Sequence, residues 1–369
     1  MDLYPVSFEP IYKEKVWGGR RLELLGRRLP VGQPIGESWD VVEESVVRNG
    51  RWAGKTLAQL AAELKSSLLG ERVYDRCGPT FPLLLKFIDA STVVSVQVHP
   101  DDLYAHSHGE PQGKTECWYV MQAEPGSQLI HGFARPVGRE ELAEAIERNQ
   151  LEEHLYYLPV KAGDVVFVPA GTVHAIGAGQ LMYEIQQKSD TTYRLYDWGR
   201  LGLDGRPREL HIAQSLEVLD FTIWPDHLAR PVPVPGEEGR FYLAACRHFA
   251  LELWDISGTQ RWQTDGESFS LMTVVQGTAR LRYGEDGEEE VEVGYGDTVL
   301  LPAGLGWCMW ETPARCKVLR AYVPDLWMDI ISPLLTAGLQ AEDILPIGGY
   351  GRDNHLKPFF PKSPTHADR

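Results

Sequence analysis

The sequence holds little that would cross-link it, anchor it in a membrane or draw it to nucleic acid. Its 369 residues include 5 cysteines, Cys77, Cys117, Cys246, Cys308 and Cys316, an odd number, widely scattered and without a Cys-x-x-Cys pair. That excludes a disulfide framework and a thiolate zinc site, and points to reduced, buried thiols. No window approaches the roughly 18 uninterrupted apolar residues of a membrane helix. The N-terminal MDLYPVSFEPIYKEKVWGG lacks a basic-then-apolar signal region, so a cytoplasmic location is expected. Basic residues are outnumbered, 36 Lys and Arg against 52 Asp and Glu, for a net charge of −16. With no basic run, neither nucleic acid nor a membrane surface is an expected partner, and any anion must be met by a local basic pocket.

Helical periodicity is also scarce. Thr56 to Leu69 places Leu57, Leu60, Ala61, Leu64 and Leu68 at helical spacing, with Thr56 as N-cap and Gly70 as stop. A second helical patch covers about 138–155 and reads as an insertion between strands. The rest is short apolar runs punctuated by Gly and Pro: PLLLKFIDA, TVVSVQVH, CWYVMQA, DVVFVP and, after residue 240, YLAACRHFALELW, SFSLMTVVQGTARLRY and DTVLLP. Residues 1–55 read as strands and irregular structure packed across a neighbouring domain. PVPVPGEEG, residues 231–239, has the composition of a linker. The expectation is a mainly β protein with an N-terminal catalytic domain over 1–230, a linker over 231–239, a second domain over 240–325, and an extension over 326–369 that forms a partly ordered tail or an interface arm.

Gly163 to His174, GDVVFVPAGTVH, fits G-x5-P-x-G-x2-H: a turn, a short buried strand, and a second turn that delivers one histidine onto the next strand. The pattern resembles the second motif of the cupin superfamily, which implies jelly-roll barrels and a metal-ligating role for His174. Gly296 to Trp307, GDTVLLPAGLGW, repeats the skeleton but ends in tryptophan, and Ser270 falls near the position of Glu116 in the first copy. The second domain is therefore expected to be a metal-free cupin-like barrel, with Trp307 at its interface or in a vestigial pocket.

In TVVSVQVHPDD, Ser95, Gln97 and His99 alternate against Val94, Val96 and Val98, so one strand presents Gln97 and His99 side by side. Glu116 opens an apolar strand, a costly place for a carboxylate unless a cation or hydrogen bonds compensate it. Gln97, His99, Glu116 and His174 form an N/O set suited to zinc or another divalent ion. Gln97 is the member that could instead orient a ligand. His106 and His108 read as exposed loop histidines.

SVQVHPDD, GKTECWYV, GDVVFVPAGTVHAIG, YEIQQKSDTTYRLYDWGR and RPRELHIAQSLEVLDF together resemble the type I mannose-6-phosphate isomerases in their short bacterial form. The resemblance implies interconversion of mannose 6-phosphate and fructose 6-phosphate, one zinc per chain on Gln97, His99, Glu116 and His174, and Arg194 as the active-site arginine. Lys114 and Arg200 resemble positions lining the family's substrate cleft, and either could hold the phosphate. Enediol chemistry needs a base and an electrophile for the developing oxyanion. Glu184, alternating with Gln186 on a strand, is the candidate base or else a salt-bridged barrel carboxylate. Lys114 joins Arg194 and Glu184 as a catalytic candidate, and Ser95, with Lys114 and Arg200, as a substrate contact. The expected partner is a sugar phosphate, and the expected state a monomer or homodimer. Three alternatives remain open at this level: an isomerase of unphosphorylated mannose or fructose, a ferrous cupin oxygenase, and a sugar-phosphate-binding module without catalysis.

Overall fold

A computed structural model describes residues 3–284 and 287–360. The strands form four antiparallel sheets, two in each half of the chain. In the first half a six-stranded sheet runs in the order Ile11–Gly19, Ile35–Val41, Leu83–Ala90, Gln180–Gln187, Glu116–Ala123, Val165–Val168. It is joined by a five-stranded sheet in the order Tyr193–Tyr196, Val96–Val98, His174–Ile176, Gln128–Phe133, Leu155–Pro159. The second half repeats the plan. Its six-stranded sheet contains Val232–Pro233, Arg240–Ala245, Ala250–Ile256, Cys316–Tyr322, Ser270–Gln276 and Thr298–Leu301, and its four-stranded sheet Thr259–Gln263, Trp307–Glu311, Thr278–Tyr283 and Glu289–Gly294. The fold is thus mainly β with two cupin-like units, as expected. Paired sheets share no strand, so each jelly roll is an open sandwich.

The alternation of each strand explains the packing. Leu83, Leu85 and Phe87 enter one apolar cluster, while Ile88 and Ala90 enter another between the two sheets of the first unit. The first cluster also holds Cys117, Tyr119, Val165, Phe167 and Tyr183 together with Leu251, Phe269, Leu271, Leu300, Leu319 and Ala321 of the second unit. The two six-stranded sheets therefore bury their outer faces on one another. This is why Leu83–Ala90 and Gln180–Gln187 are buried at every position.

The N-terminal segment does cross to the other unit: Val6 N–H donates to Leu300 O at 2.8 Å, and Leu300 N–H to Val6 O at 2.7 Å. Helix Leu57–Leu64 has the expected cap, with Thr56 accepting from Gln59 N and Gln59 returning the bond. It ends earlier than its spacing suggests, because Lys65 turns left-handed at φ 53° before a further turn over Ser66–Leu69. The 138–155 patch resolves into helix Arg139–Glu147, a left-handed Asn149, and one turn at Leu151–His154. Within 231–239, Val232 and Pro233 pair with Tyr242 and Phe241 as the edge of the second large sheet. Past residue 325 the chain folds as short helical turns whose Leu326, Ile330, Ile331, Leu334, Ile344, Ile347 and Leu356 pack on Tyr242, Ala245, Ala250 and Tyr322. Residues 361–369 lie outside the described residues. Among the described residues no helix is long and apolar enough to cross a membrane.

Phe81 and Phe269 meet across the shared core at 4.7 Å between ring centroids, both fully buried. Phe269→Ala should cost about 3–5 kcal/mol in urea unfolding while keeping one cooperative transition for both units. Two separated transitions in the wild-type chain would contradict a common core.

Candidate metal centre and cleft

The strands bring Gln97, His99, Glu116 and His174 together although 77 residues separate the first from the last. Gln97 pairs directly with His174, and Glu116 lies opposite Val168, the last strand residue before the Pro169–Gly171 turn. Gly171, with φ 85°, leaves no room for a side chain: a Cβ there would stand 3.0 Å from Val218 O. Around that turn the ligand atoms of His99, Glu116 and His174 fall within 4.8 Å of one another, all buried. His99 Nε2 is 3.5 Å and His174 Nε2 3.3 Å from the Glu116 carboxylate.

Each imidazole is oriented through its other nitrogen. His99 Nδ1 donates to Thr191 O at 2.9 Å and His174 Nδ1 to Thr172 O at 2.8 Å. A carbonyl can only accept, so the neutral rings carry their protons on Nδ1 and aim Nε2 lone pairs at Glu116. Burial, reinforced by Lys114, holds His99 well below the ordinary histidine range. Burial likewise pushes His174 down to about 3, although the Thr172 carbonyl works in the opposite direction. Both Glu116 oxygens are buried without a hydrogen-bond donor. Lys114 Nζ lies 2.7 Å from Oε2 as an ion pair outside hydrogen-bond geometry, and donates to His99 Nε2 at 2.9 Å. Gln97 Nε2 lies 3.3 Å from His174 Nε2, and turning this amide would present its oxygen instead. Two neutral imidazoles, an undersatisfied carboxylate and an amide fit a divalent cation. His106 and His108 stay outside the cluster, on and after helix Asp102–Ser107, bonded to Pro111 O and Tyr104 O.

Beside the cluster, and reached by Gln97 and Lys114, is a narrow cleft of about 80 Å³. Ser95, Gln97, Lys114, Glu184 and Arg194 all line it, so five of the residues singled out in the sequence meet there. Roomier depressions of about 640 and 520 Å³ lie elsewhere, one on the smaller sheet of the second unit and one beside Tyr104 and Asp220. Neither touches the ligands, and the chemistry rather than the size marks the site.

Arg194 is held by Ser95, whose Oγ accepts from Nε at 3.2 Å, and by Glu209 O at 2.8 Å. Burial first, then the neighbouring Arg208, lowers its proton affinity. Glu184 accepts from Trp118 Nε1 at 2.7 Å and pairs with Lys86 at 2.9 Å. Burial, then Glu116, pushes its carboxyl up, while Lys86 opposes them. The salt-bridged arrangement is therefore present, and the carboxylate still faces the cleft. Arg200 stands apart from the lining: its guanidinium is bound to Asp197 and to Val93 O. Asp197 also receives two bonds from Arg208, at 2.7 and 2.5 Å, and Arg208 does reach the cleft.

Arg208, Lys86, Glu37 and Lys15 escaped the sequence reading. Lys86 is a single charge inside PLLLKFIDA, the same signal that drew attention to Glu116. Glu37 pairs with Lys15 at 3.2 Å and accepts from Trp39 at 2.7 Å. Burial opposes its ionisation, yet Lys86 and Lys15 outweigh it and bring its carboxyl down to about 2.

The second unit shows the same frame with another filling. Ser270 lies opposite Leu301 as Glu116 lies opposite Val168. Arg320, at the register of Glu184, pairs with Glu252, at the register of Lys86, at 3.1 Å, and donates to Ser270 Oγ at 3.0 Å. The charge pair is inverted, and the place of the ligand carboxylate is bonded to an arginine. Trp307 heads its strand half-buried, with Arg261 over its ring.

Residues 6–130 match the family model for the catalytic domain of type I phosphomannose isomerase, and residues 239–322 that for the cupin domain of mannose-6-phosphate isomerase. The mannose-6-phosphate isomerase ManA of Bacillus subtilis is 39% identical over 323 residues, covering 86% of this chain and 99% of that protein. The mannose-6-phosphate isomerase of Streptococcus mutans is 39% identical over 325 residues, covering 86% and 98%. The crystal structure of a mannose 6-phosphate isomerase from Bacillus subtilis superposes with a TM-score of 0.75 at 32% identity, over 86% of this chain and 99% of that one. A mutant phosphomannose isomerase from Salmonella typhimurium, at 18% identity and a TM-score of 0.71 over 86% and 99%, shares the fold.

Buried neutral histidines set an acid limit. His131 is held down to about 3 by burial and His227, as His174 is by burial. Unfolded, each takes a proton near pH 6.5; folded, neither does, so their contribution is present above that pH and is lost as pH falls through it. Urea denaturation should show stability dropping between about pH 7.5 and pH 5, by on the order of 1–2 kcal/mol for each of these two histidines. Stability that rises on acidification through this range would contradict their neutrality.

Proposed function

The chain belongs to the type I phosphomannose isomerases, and from that membership we propose that it interconverts mannose 6-phosphate and fructose 6-phosphate with a zinc ion held by Gln97, His99, Glu116 and His174. The observation that carries the metal assignment is Glu116, a fully buried carboxylate with neither oxygen hydrogen-bonded, faced by two Nε2 lone pairs. When bound, the ion supplies Lewis-acid polarisation of a substrate oxygen.

The protein's own groups do the rest. Arg194, fixed by Ser95 and Glu209 O, offers its guanidinium to the oxyanion that develops as the proton leaves carbon. Glu184 moves that proton between C1 and C2. Its Oε1 carboxylate oxygen meets Lys86, whose charge opposes the effect of burial, while burial and Glu116 raise the proton affinity that a base uses. Lys114, beside the ligands, serves the reacting end of the sugar. The phosphate goes to the other end, to Arg208, which Asp197 orients; Arg200 acts there through its own bond to Asp197. Trp17 and Trp118 wall the cleft and exclude water.

A coupled assay with mannose 6-phosphate should show activity that a chelator abolishes and zinc restores; full activity in chelator would contradict the metal assignment. Arg194→Ala should lower kcat by about 100-fold or more with little change in KM, since its charge is needed when the oxyanion forms. Arg208→Ala should raise KM for the phosphorylated sugar and leave turnover of free mannose unchanged. Equal losses on both sugars would remove Arg208 from the phosphate site.

A further inference from the structure

The ligands depend on one turn, and that turn is held from outside by a segment beyond both matched domains. The Pro169–Thr172 turn is bonded to both histidines and to the residue before Glu116. Gly171 N–H donates to His99 O at 2.8 Å, Ala170 N–H to Thr115 Oγ1 next to Glu116 at 3.1 Å, and Thr172 O receives His174 Nδ1. On its outer side Gly171 O accepts from Asp220 N–H at 2.8 Å. The Asp220 carboxylate in turn accepts from Arg352 N–H at 2.6 Å, and Leu219 O accepts from the Arg352 guanidinium at 3.2 Å.

Arg352 belongs to the tip of the C-terminal extension, past residue 322 where the second matched domain stops. The tip is cross-bonded internally. Buried Asn354 donates to Leu345 O and Gly349 O at 2.8 and 2.5 Å and accepts from Leu356 N–H at 2.9 Å, while Ile344, Ile347 and Leu356 fasten its base to the second unit. Gly349, at φ 77°, presses on the first unit so closely that a Cβ would stand 3.0 Å from Trp224, 3.1 Å from Phe167 and 3.2 Å from Pro169. Phe167 and Pro169 flank Val168, the residue opposite Glu116.

We infer that residues 345–356 form a clasp that uses the second unit as its base to hold the Pro169–Thr172 turn, and with it His99 and His174, in metal-binding geometry. Gly349 and Arg352 are positioning residues: they touch neither metal nor substrate. This rests on the zinc assignment proposed above. Loss of a group bonded directly to a ligating imidazole typically changes metal affinity by about 10- to 100-fold, and Thr172 O on this turn is such a group.

The test uses the full chain carrying Gly349→Leu or Arg352→Ala, with zinc affinity read by competition with a chelating dye, thermal unfolding alongside, and isomerase kinetics at saturating zinc. The clasp predicts a zinc Kd raised about tenfold or more in Gly349→Leu and by a smaller factor in Arg352→Ala, which keeps the backbone bond to Asp220. It also predicts an unchanged KM for mannose 6-phosphate once zinc saturates. A lowered melting temperature with zinc Kd unchanged within about twofold overturns the clasp, since it makes the extension a stabiliser only. If Gly349→Leu does not fold, Arg352→Ala alone decides by the same Kd. A wild-type chain that binds no zinc overturns the metal assignment and the clasp together, whereas tight zinc binding that both variants retain overturns the clasp alone.

Discussion

A carboxylate buried without hydrogen bonds is the constraint around which the first unit is organised. Desolvating Glu116 costs several kcal/mol unless positive charge meets it. The fold provides Lys114 at 2.7 Å and two imidazoles whose lone pairs point at the same oxygens. Lone pairs facing a carboxylate are unfavourable by themselves and favourable around a cation. The backbone carbonyls of Thr172 and Thr191 enforce that arrangement by taking the Nδ1 protons. The strain concentrated here is offset by the apolar core that the two large sheets share.

The second unit shows what the same frame does without such a demand. With Ser270 at the position of Glu116, Arg320 bonds Ser270 and pairs with Glu252, so no carboxylate is left without a donor at that place. The second unit meets the first through packing and backbone contacts. Its large sheet covers the back of the sheet that carries Glu116 and Glu184, its strand Thr298–Leu301 receives the N-terminal segment, and the opposite face of its large sheet, at Tyr242, Ala245, Ala250 and Tyr322, seats the C-terminal turns. Burial on both faces keeps the cleft-lining strands stiff, which suits a site whose ligands come from separate sheets.

The cluster of His99, Glu116 and His174, with Gln97 beside it, was legible because each member breaks a local pattern: polar residues alternate on TVVSVQVH, a carboxylate opens an apolar strand, and a histidine ends G-x5-P-x-G-x2-H. Lys86 breaks its strand pattern in the same manner and could have been found by the same test. Arg208 carried no such signal, because a guanidinium in the polar segment RPREL looks like any exposed arginine until Asp197 and the cleft are placed around it. Arg200 shows the reverse, a plausible cation whose reach is taken up by Asp197 and Val93 O. The break at Lys65 was hidden because one left-handed residue interrupts a helix without disturbing the spacing of its leucines. The docking of 326–360 depends on Tyr242, Ala245 and Ala250, on strands distant in sequence, as well as on Tyr322, and no local periodicity encodes such contacts.

The most direct measurement is an anomalous difference map at the zinc edge from crystals grown with zinc. A zinc site here requires a single peak bounded by His99 Nε2, His174 Nε2, the Glu116 carboxylate and the Gln97 amide oxygen, with Lys114 Nζ moved off Glu116. Absence of a peak there, with Lys114 still paired to Glu116, would contradict it.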